Sequence, residues 1–178
     1  EIAIRIARTA KERGISCVGV YSEADRTSLH LESMDIAVAL GGETAAESYL
    51  RVDAIVQAAI ENQCDAVHPG YGFLAENADA ARAVEAAGLL WIGPTPEQIE
   101  LLGDKIAAKR AAEQAGVPTT PIIEVSGSGS VPSDVPLPAL VKAAAGGGGR
   151  GMRIVRAGDD LASAIESASR EAAAAFGD

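Results

Sequence analysis

The sequence contains little cysteine and few aromatic side chains. Phe, Trp and Tyr make up 3% of its 178 residues, and two cysteines are present. We therefore expect a core built from small aliphatic side chains. Cys17 and Cys64 lie in separate apolar segments without CxxC spacing, which argues against a zinc site. Their context predicts buried free thiols in a reducing compartment.

Long apolar runs and an excess of positive charge are also absent. No run approaches the roughly 18 apolar residues of a membrane-spanning helix, so we expect no membrane association. Fifteen Lys and Arg residues against 25 Asp and Glu residues give a net charge of −10. This balance disfavours nonspecific nucleic-acid binding, which depends on neutralising phosphates, although a local basic pocket remains open. These features predict a cytoplasmic protein.

Residues 1–93 show alternating helical and strand-like patterns. The predicted helices are Glu1–Arg13, Ser48–Asn62 and 76–87, and the predicted strands are Ile15–Tyr21, Ile36–Leu40, Cys64–His68 and Leu89–Ile92. Such alternation predicts an α/β fold, a doubly wound domain with a parallel sheet. Because an α/β unit normally begins with a strand, we expect a first strand to precede Glu1 in a longer chain.

The pattern changes beyond residue 93. Residues 94–118 predict a helical linker, in which Asp104 is the candidate N-cap of a helix ending near Ala115. Residues 119–178 predict a small α+β subdomain, incomplete because no further strand follows. Its predicted strands are Ile122–Val125, Leu137–Val141 and Met152–Val155, and its predicted helix is Asp159–Ala174.

A glycine-rich stretch separates the last two predicted strands. Five of the eleven residues in 142–152 are glycine. Glycine lets the backbone approach a ligand closely, so exposed N–H groups can cradle phosphate oxygens while Lys142, Arg150 and Arg153 add positive charge. The stretch matches neither GxxxxGK[ST] nor a GxGxxG turn between strand and helix. It predicts a hairpin flap that contacts phosphate.

Two other regions are candidate ligand contacts. The turn 69–74 follows a predicted strand, at the edge where open α/β sheets bind ligands. Lys105 lies in the first turn of a predicted helix, where the dipole disfavours a cation, so position alone slightly favours a solvent-directed side chain over an anion contact. Glu23 and Asp25 follow another strand, where a dinucleotide-binding fold would hold a ribose, but without a glycine loop we interpret them as solvated acids.

Several stretches together resemble the biotin carboxylase family of ATP-grasp enzymes, particularly the biotin carboxylase subunit or domain of acyl-CoA carboxylases. The resemblance covers essentially the whole chain, and the motifs occur in the family's order. They are HPGYGFLAEN at 68–77, Ile-Gly-Pro at 92–94, Gly-Asp-Lys at 103–105, Ala-Gly-Val-Pro at 115–118, and Lys142 through GGGGRGM to Met152. The first and last motifs together are highly specific.

The resemblance implies a pre-ATP-grasp, Rossmann-like domain followed by an ATP-grasp lid. It further implies MgATP as cofactor, bicarbonate attack on the γ-phosphate to give carboxyphosphate, and carboxylation of biotin on a carrier protein or domain. A carboxyltransferase subunit or domain would then use the carboxylated carrier. A homodimer is also implied, because a helix matching Arg5, Arg8 and Glu12 lies at the dimer interface of bacterial relatives; a solvated helix face remains nearly as good an interpretation.

The resemblance also assigns candidate site residues. It implies that Lys105 and Lys142 contact the nucleotide, which makes nucleotide contact the better interpretation of Lys105. Tyr71 and Gly72 would line the bicarbonate and biotin pocket, with Glu76 as a supporting carboxylate. The remaining ATP-binding candidates are Gly147, Gly148, Gly149, Arg150 and Met152.

Some family features are altered or absent. Ala144 and Ala145 stand where the family often has Ser-Gly. The magnesium-binding carboxylates, the bicarbonate-binding arginine and the base lie further along the family's sequence, so we expect this chain to be a fragment, inactive alone and without metal ligands. Two alternatives remain: a noncatalytic nucleotide-binding or interaction module, and another ATP-grasp ligase of the carbamoyl-phosphate or purine-pathway type.

Overall fold

The computed structural model describes residues 1–125, 135–142 and 152–176. The chain divides into two compact units, Glu1–Leu101 (unit 1) and Leu102–Asp178 (unit 2). Each unit has its own buried apolar residues.

Unit 1 alternates helices with short parallel strands. Its elements are α1 (Ile2–Glu12), β1 (Val18–Tyr21), β2 (Ile36–Ala39), α2 (Val52–Glu61), β3 (Ala66–Val67), α3 (Ala78–Ala86), β4 (Leu90–Trp91) and most of α4 (Pro96–Gly103). Strand β1 pairs with β2 in parallel, with Val18 opposite Ile36. Strand β3 pairs with β4 in parallel, with Ala66 opposite Leu90. The predicted α/β class is confirmed.

The core of unit 1 forms where α3 packs against the segments on either side of it. The buried cluster consists of Leu74, Ala80, Ala81, Val84, Trp91 and Ile99. Ala80, Ala81 and Val84 share one face of α3 because residues three and four positions apart lie on the same side of a helix. Apart from Trp91, the cluster is aliphatic, as the composition predicts.

Helix α2 begins later than the sequence predicts. It starts at Val52, not Ser48. The preceding residues form turns of their own: Leu50 N donates to Ala45 O at 2.8 Å, and Arg51 N donates to Ser48 O at 3.0 Å. Ser48 is fully buried and its hydroxyl donates to Thr44 O at 2.6 Å. This side chain–backbone bond competes with helix formation at that end.

Unit 2 pairs one antiparallel ladder with helices. It contains α5 (Lys105–Gln114), β5 (Ala139–Val141), β6 (Arg153–Val155) and α6 (Leu161–Phe176). Leu140 lies opposite Ile154 in the ladder, so the predicted flanking strands pair as expected. Val155 on β6 and Ala168 on α6 are buried.

The predicted strand Ile122–Val125 is wrong. These residues have no strand structure, and Ile122 and Ile123 are 43% and 44% exposed. The segment is held by side chains instead of a strand ladder: Thr119 Oγ1 donates to Glu113 Oε1, and Arg110 forms an ion pair with Glu124. β-Propensity alone forms no strand without a partner to complete its hydrogen bonds.

Both cysteines are free but only half-buried. The prediction of free thiols is confirmed, and the predicted burial is only partial. Burial raises the pKa of the Cys64 thiol, and the negative charge of Asp65 raises it further. Among the residues described above, no helix combines the length and the apolar composition needed to cross a bilayer.

Candidate functional site

The turn that follows β3 contains three residues with a positive φ. Gly70 and Gly72 have φ values of 77° and 73°, and Phe73 also has a positive φ of 46°. Glycine adopts this region freely, whereas Phe73 does so at a steric cost. Gly70 N donates to His68 Nδ1 at 3.0 Å, so the imidazole of His68 fixes the start of the turn.

The turn ends in a short 3₁₀ helix, Phe73–Glu76, that leads into α3. Ala75 N donates to Gly72 O at 2.9 Å, and Leu74 inserts into the core with 5% of its surface exposed. The Asn77 side chain then caps α3, accepting from Ala80 N at 3.0 Å. Asn77 provides an acceptor for one of the N–H groups that a helix start leaves unpaired.

Between these anchors the turn presents its polar and aromatic side chains outward. Tyr71 is 83% exposed. Glu76 is also exposed. Tyr71, Gly72 and Glu76 are therefore placed on one short, braced segment at the carboxyl end of a parallel strand, where the sequence predicts a ligand contact.

A second polar cluster lies after β1 and includes Asp25. Tyr49 Oη donates to Asp25 Oδ2 at 2.6 Å, and Ser28 Oγ donates to Asp25 Oδ1 at 2.8 Å. Ser22 Oγ also donates to Asp25 Oδ2, at 3.2 Å. The interpretation of Asp25 as a solvated loop acid is therefore wrong: it is half-buried and accepts three side-chain hydrogen bonds. Glu23 forms an exposed ion pair with Arg26.

These hydrogen bonds change the acidity of both main partners. The pKa of Asp25 is lowered, first by the Tyr49 hydrogen bond and then by that of Ser28. The pKa of Tyr49 is raised, first by burial and then by its hydrogen bond to Asp25. The two directions agree: a neutral phenol donates to an ionised carboxylate.

Sequence reasoning missed Tyr49. Its ring stacks on Phe73 with centroids 6.2 Å apart and an interplanar angle of 23°. Tyr49 therefore contacts both the loop after β1 and the turn after β3. Its partners Asp25 and Phe73 are 24 residues away on either side, and no sequence motif connects them.

In unit 2, Lys142 and Met152 are the described ends of the glycine-rich stretch. Lys142 is exposed and follows β5, and Met152 is 43% exposed and precedes β6. The candidates Gly147, Gly148, Gly149 and Arg150 lie outside the described residues. The sequence predicts that Arg153 adds positive charge for a phosphate contact. Its guanidinium instead forms an ion pair with Glu171 at 2.9 Å, which partly neutralises that charge.

Lys105 is half-buried at the start of α5. Asp104 caps this helix, accepting from Ile106 N at 2.9 Å and from Ala107 N at 2.7 Å. The predicted N-cap is thus confirmed. The cap fixes the helix start, and Lys105 is the next residue.

Arg5, Arg8 and Glu12 are exposed on α1. Their spacing places them on one face of the helix. Among all residues that the structure describes, no group of three His, Cys, Asp or Glu residues is arranged to hold a metal ion.

Unit 1 thus combines parallel strands with a glycine-containing turn after β3, and unit 2 contains an antiparallel ladder whose two strands flank the glycine-rich stretch in the sequence. Residues 1–99 match the family described as "Biotin carboxylase, N-terminal domain", and residues 104–178 match "Carbamoyl-phosphate synthase L chain, ATP binding domain". The chain therefore belongs to the biotin carboxylase family.

Curated relatives agree with this assignment. The biotin carboxylase of Pseudomonas aeruginosa is 46% identical over 99% of this chain and 41% of the relative. The alpha subunit of the mitochondrial methylcrotonoyl-CoA carboxylase of Oryza sativa is 48% identical over 99% of this chain and 25% of that protein. The chain thus spans well under half the length of these relatives.

Solved structures show the same likeness. A biotin carboxylase–beta-gamma-ATP complex from Campylobacter jejuni is 41% identical in sequence, with a TM-score of 0.88. The match covers 99% of this chain and 41% of the Campylobacter chain. The biotin carboxylase domain dimer of the 2-oxoglutarate carboxylase from Hydrogenobacter thermophilus, in complex with MgADP, ADP and bicarbonate, matches 99% of this chain with 40% identity and a TM-score of 0.82.

Proposed function

We propose that this chain forms the N-terminal part of a biotin carboxylase, which uses ATP and bicarbonate to carboxylate biotin on a carrier protein or domain. The observation that supports this most directly is the braced His68–Asn77 turn, which presents Tyr71 at the carboxyl end of β3 within the region that matches the family. Because the chain spans about 41% of the Pseudomonas relative, we expect activity from the full-length protein and not from these residues alone.

The proposed architecture has three parts. Residues 1–93 form the Rossmann-like, doubly wound domain, residues 94–118 a helical linker, and residues 119–178 part of the ATP-grasp lid. The parallel pairings of β1 with β2 and of β3 with β4 support the first part. The antiparallel pairing of β5 with β6 around the glycine-rich stretch supports the last.

The nucleotide contacts are proposed for unit 2. Lys142 suits a phosphate because it is exposed beside the glycine-rich stretch and forms no ion pair with a described carboxylate, in contrast to Arg153. Lys105, Gly147, Gly148, Gly149, Arg150 and Met152 complete the proposed set. When bound with Mg²⁺, ATP supplies the phosphoryl group that activates bicarbonate. The lysines would offset phosphate charge that otherwise repels an attacking oxyanion.

The bicarbonate and biotin pocket is proposed to involve the turn of unit 1. Tyr71 offers an exposed ring and hydroxyl, and Gly72 lets the backbone pass close to a ligand because it has no Cβ. Glu76 would support this region as an exposed carboxylate. The hydrogen bonds at both ends of the turn support the backbone placement of these three residues.

Partners and location are proposed on the same basis. A biotin carboxyl carrier and a carboxyltransferase, as subunits or domains, would complete the reaction, and the protein would be cytoplasmic. Arg5, Arg8 and Glu12 are proposed at a homodimer interface, because all three are exposed on α1. The dimer named for the Hydrogenobacter relative supports this assignment.

ATP cleavage by the full-length protein tests the proposal. We expect phosphate release to require both bicarbonate and biotin.

Substitution of Lys142 tests the nucleotide site. Lys142→Ala should lower kcat/KM for ATP about 100-fold or more, because it removes a charge that stabilises phosphoryl transfer. Arg170→Gln removes an exposed cation of unit 2 that pairs with Glu166 and should leave the rate within about twofold. A rate of ATP cleavage that does not depend on biotin would refute the proposal.

A second candidate is favoured by one observation. The match of residues 104–178 to an ATP-binding domain of carbamoyl-phosphate synthase fits another ATP-grasp ligase. Under that alternative, ATP cleavage with bicarbonate would depend on ammonia or glutamine and not on biotin. Nucleotide binding by the full-length protein without any cleavage would instead indicate a noncatalytic module.

A further inference from the structure

The hydroxyl of Tyr49 is fixed from two sides. It donates to Asp25 Oδ2 at 2.6 Å and accepts from Ser22 N at 3.0 Å. Ser22 is 2% exposed, so its N–H has no access to water and would lose a partner if the hydroxyl were removed. Asp25 is itself held by Ser28 and Ser22. A buried donor without an acceptor is costly, so this network favours one position of the Tyr49 ring.

The same ring contacts the turn that bears Tyr71. Phe73 stacks on Tyr49 with a centroid distance of 6.2 Å, two residues beyond Tyr71. Phe73 has a φ of 46°, which costs energy for a residue with a Cβ and persists only when contacts hold it. Because Phe73 remains 58% exposed, its stack on Tyr49 is a large part of what can hold it.

We infer that Tyr49 is a positioning residue for the turn 70–76, acting through Phe73 to set the orientation in which Tyr71 is presented to the biotin pocket. The inference rests on the function proposed above for its link to biotin. The hydroxyl network fixes the Tyr49 ring, the ring holds Phe73 in its strained conformation, and the strained residue fixes the backbone that leads back to Gly72 and Tyr71. Tyr49 itself touches no reacting group in this scheme.

The link to the turn is tested by hydrogen exchange in the full-length protein. Tyr49→Leu removes the stack, and we expect exchange of the amides of residues 70–75 to accelerate about tenfold or more, because the opening of this segment becomes easier. Tyr49→Phe keeps the ring but frees it from Asp25 and Ser22, and should accelerate the same amides about threefold or more. Tyr21→Phe, which removes a hydroxyl from β1 in the same unit, is the matched control and should change nothing.

The link to function is tested by steady-state kinetics with free biotin. Displacing Tyr71 should raise KM for biotin about tenfold in Tyr49→Leu while KM for ATP stays within about twofold, since a small misplacement at one subsite affects that substrate. Tyr49→Phe should restore most of the affinity because it restores the stack. A merely structural role would instead lower the amount of active enzyme and leave both KM values unchanged.

Four results would overturn the inference. Unchanged exchange at residues 70–75 in both variants would show that Tyr49 does not hold the turn. Acceleration spread evenly over β1 and α3 would show a general stabilising role. Faster exchange with an unchanged KM for biotin in an active enzyme would separate the turn from biotin. If Tyr49→Leu fails to fold, unchanged exchange at 70–75 in Tyr49→Phe alone would show that Tyr49 does not hold the turn.

The experiments also separate this inference from the proposed function. Absence of biotin dependence in the wild type refutes the proposed function, whereas hydrogen exchange still decides whether Tyr49 holds the turn.

Discussion

The two units of the chain are specified by different kinds of interaction. Unit 1 buries a cluster of six apolar residues and adds a half-buried network around Asp25. In the described part of unit 2, Val155 and Ala168 are the buried apolar residues, and the ion pairs Arg110–Glu124 and Arg153–Glu171 are exposed. Exposed ion pairs contribute little to the free energy of unfolding, whereas buried apolar surface contributes much more. Unit 1 should therefore be the more resistant to unfolding.

This difference matches the work proposed for each unit. The turn of unit 1 must hold Tyr71 in one geometry, and a buried anchor such as Leu74 serves that purpose. In that proposal the ladder of unit 2 presents a glycine-rich stretch to a nucleotide, and its strands have only three residues each. A small core is compatible with such a lid because lids are drawn from the less stable parts of a protein.

The largest effect is expected from a glycine in unit 1. Gly42 has a φ of 68°, and a Cβ there would lie 2.4 Å from Glu47 Cβ and 3.0 Å from Glu47 O. Gly42→Ala should therefore lower the free energy of unfolding by about 3 kcal/mol. Gly158→Ala in unit 2 is the matched control, because Gly158 also has a positive φ, of 93°, but a Cβ added there would have no atom within 4 Å. We expect this variant to lower the free energy of unfolding by about 1 kcal/mol. Urea unfolding followed by circular dichroism measures both, and equal losses would contradict the close contact at Glu47.

A pair of equally buried valines compares the two cores directly. Val84 and Val155 are each 1% exposed, one on α3 and one on β6. Val84→Ala should cost about 2–3 kcal/mol and Val155→Ala about 1–2 kcal/mol, because the cost depends on how closely the surroundings are packed. Trp91 is the only tryptophan and lies in the unit 1 cluster, so its fluorescence reports that unit. A larger cost at Val155 would reverse the comparison between units.

Acid should weaken unit 1 through Asp25. Hydrogen bonds from Tyr49 and Ser28 lower the pKa of Asp25 in the folded protein. A group with a lowered folded pKa stabilises the fold above its unfolded pKa, near 4, and loses that contribution as pH falls through the folded pKa. We therefore expect unit 1 to lose stability progressively as the pH falls from about 5 through the folded pKa of Asp25.

Asp25→Asn should reduce this part of the acid dependence, as read from Trp91 fluorescence in urea at each pH. Glu85→Gln removes an exposed carboxylate from α3 and controls for the change in net charge. An unchanged pH dependence in Asp25→Asn would show that the network around Asp25 adds no stability.

The smallest effect is expected from the exposed ion pairs of unit 2. Arg153→Gln breaks the pair with Glu171 and should cost about 0.2–1 kcal/mol, and about 0.5 M NaCl should remove most of the difference from the wild type. Far-ultraviolet circular dichroism during urea unfolding, which reports the helices of the whole chain, provides the measurement. A loss above about 2 kcal/mol would mean that this pair is far more important than its exposure indicates.

Local patterns predicted most elements because each depends on neighbouring residues. Asp104 was recognisable as a cap because its acceptor precedes a helical pattern. The prediction of a strand at Ile122–Val125 is wrong for the opposite reason. A strand needs a hydrogen-bonding partner that is often far away in the sequence, and apolar β-branched residues alone do not identify one. The later start of α2 depends on the buried Ser48 hydroxyl, whose contact with Thr44 O has no distinct sequence signature.

The sequence by itself determined the family, the α/β class and the residues proposed to meet the substrates. These are properties of motifs such as His68–Asn77, whose residues are adjacent in the chain. The tertiary structure decided how that motif is held: it places Tyr49 between Asp25 and Phe73. Contacts between residues 24 positions apart arise only when folding brings the segments together, and a single sequence does not specify which of many polar and aromatic side chains will meet.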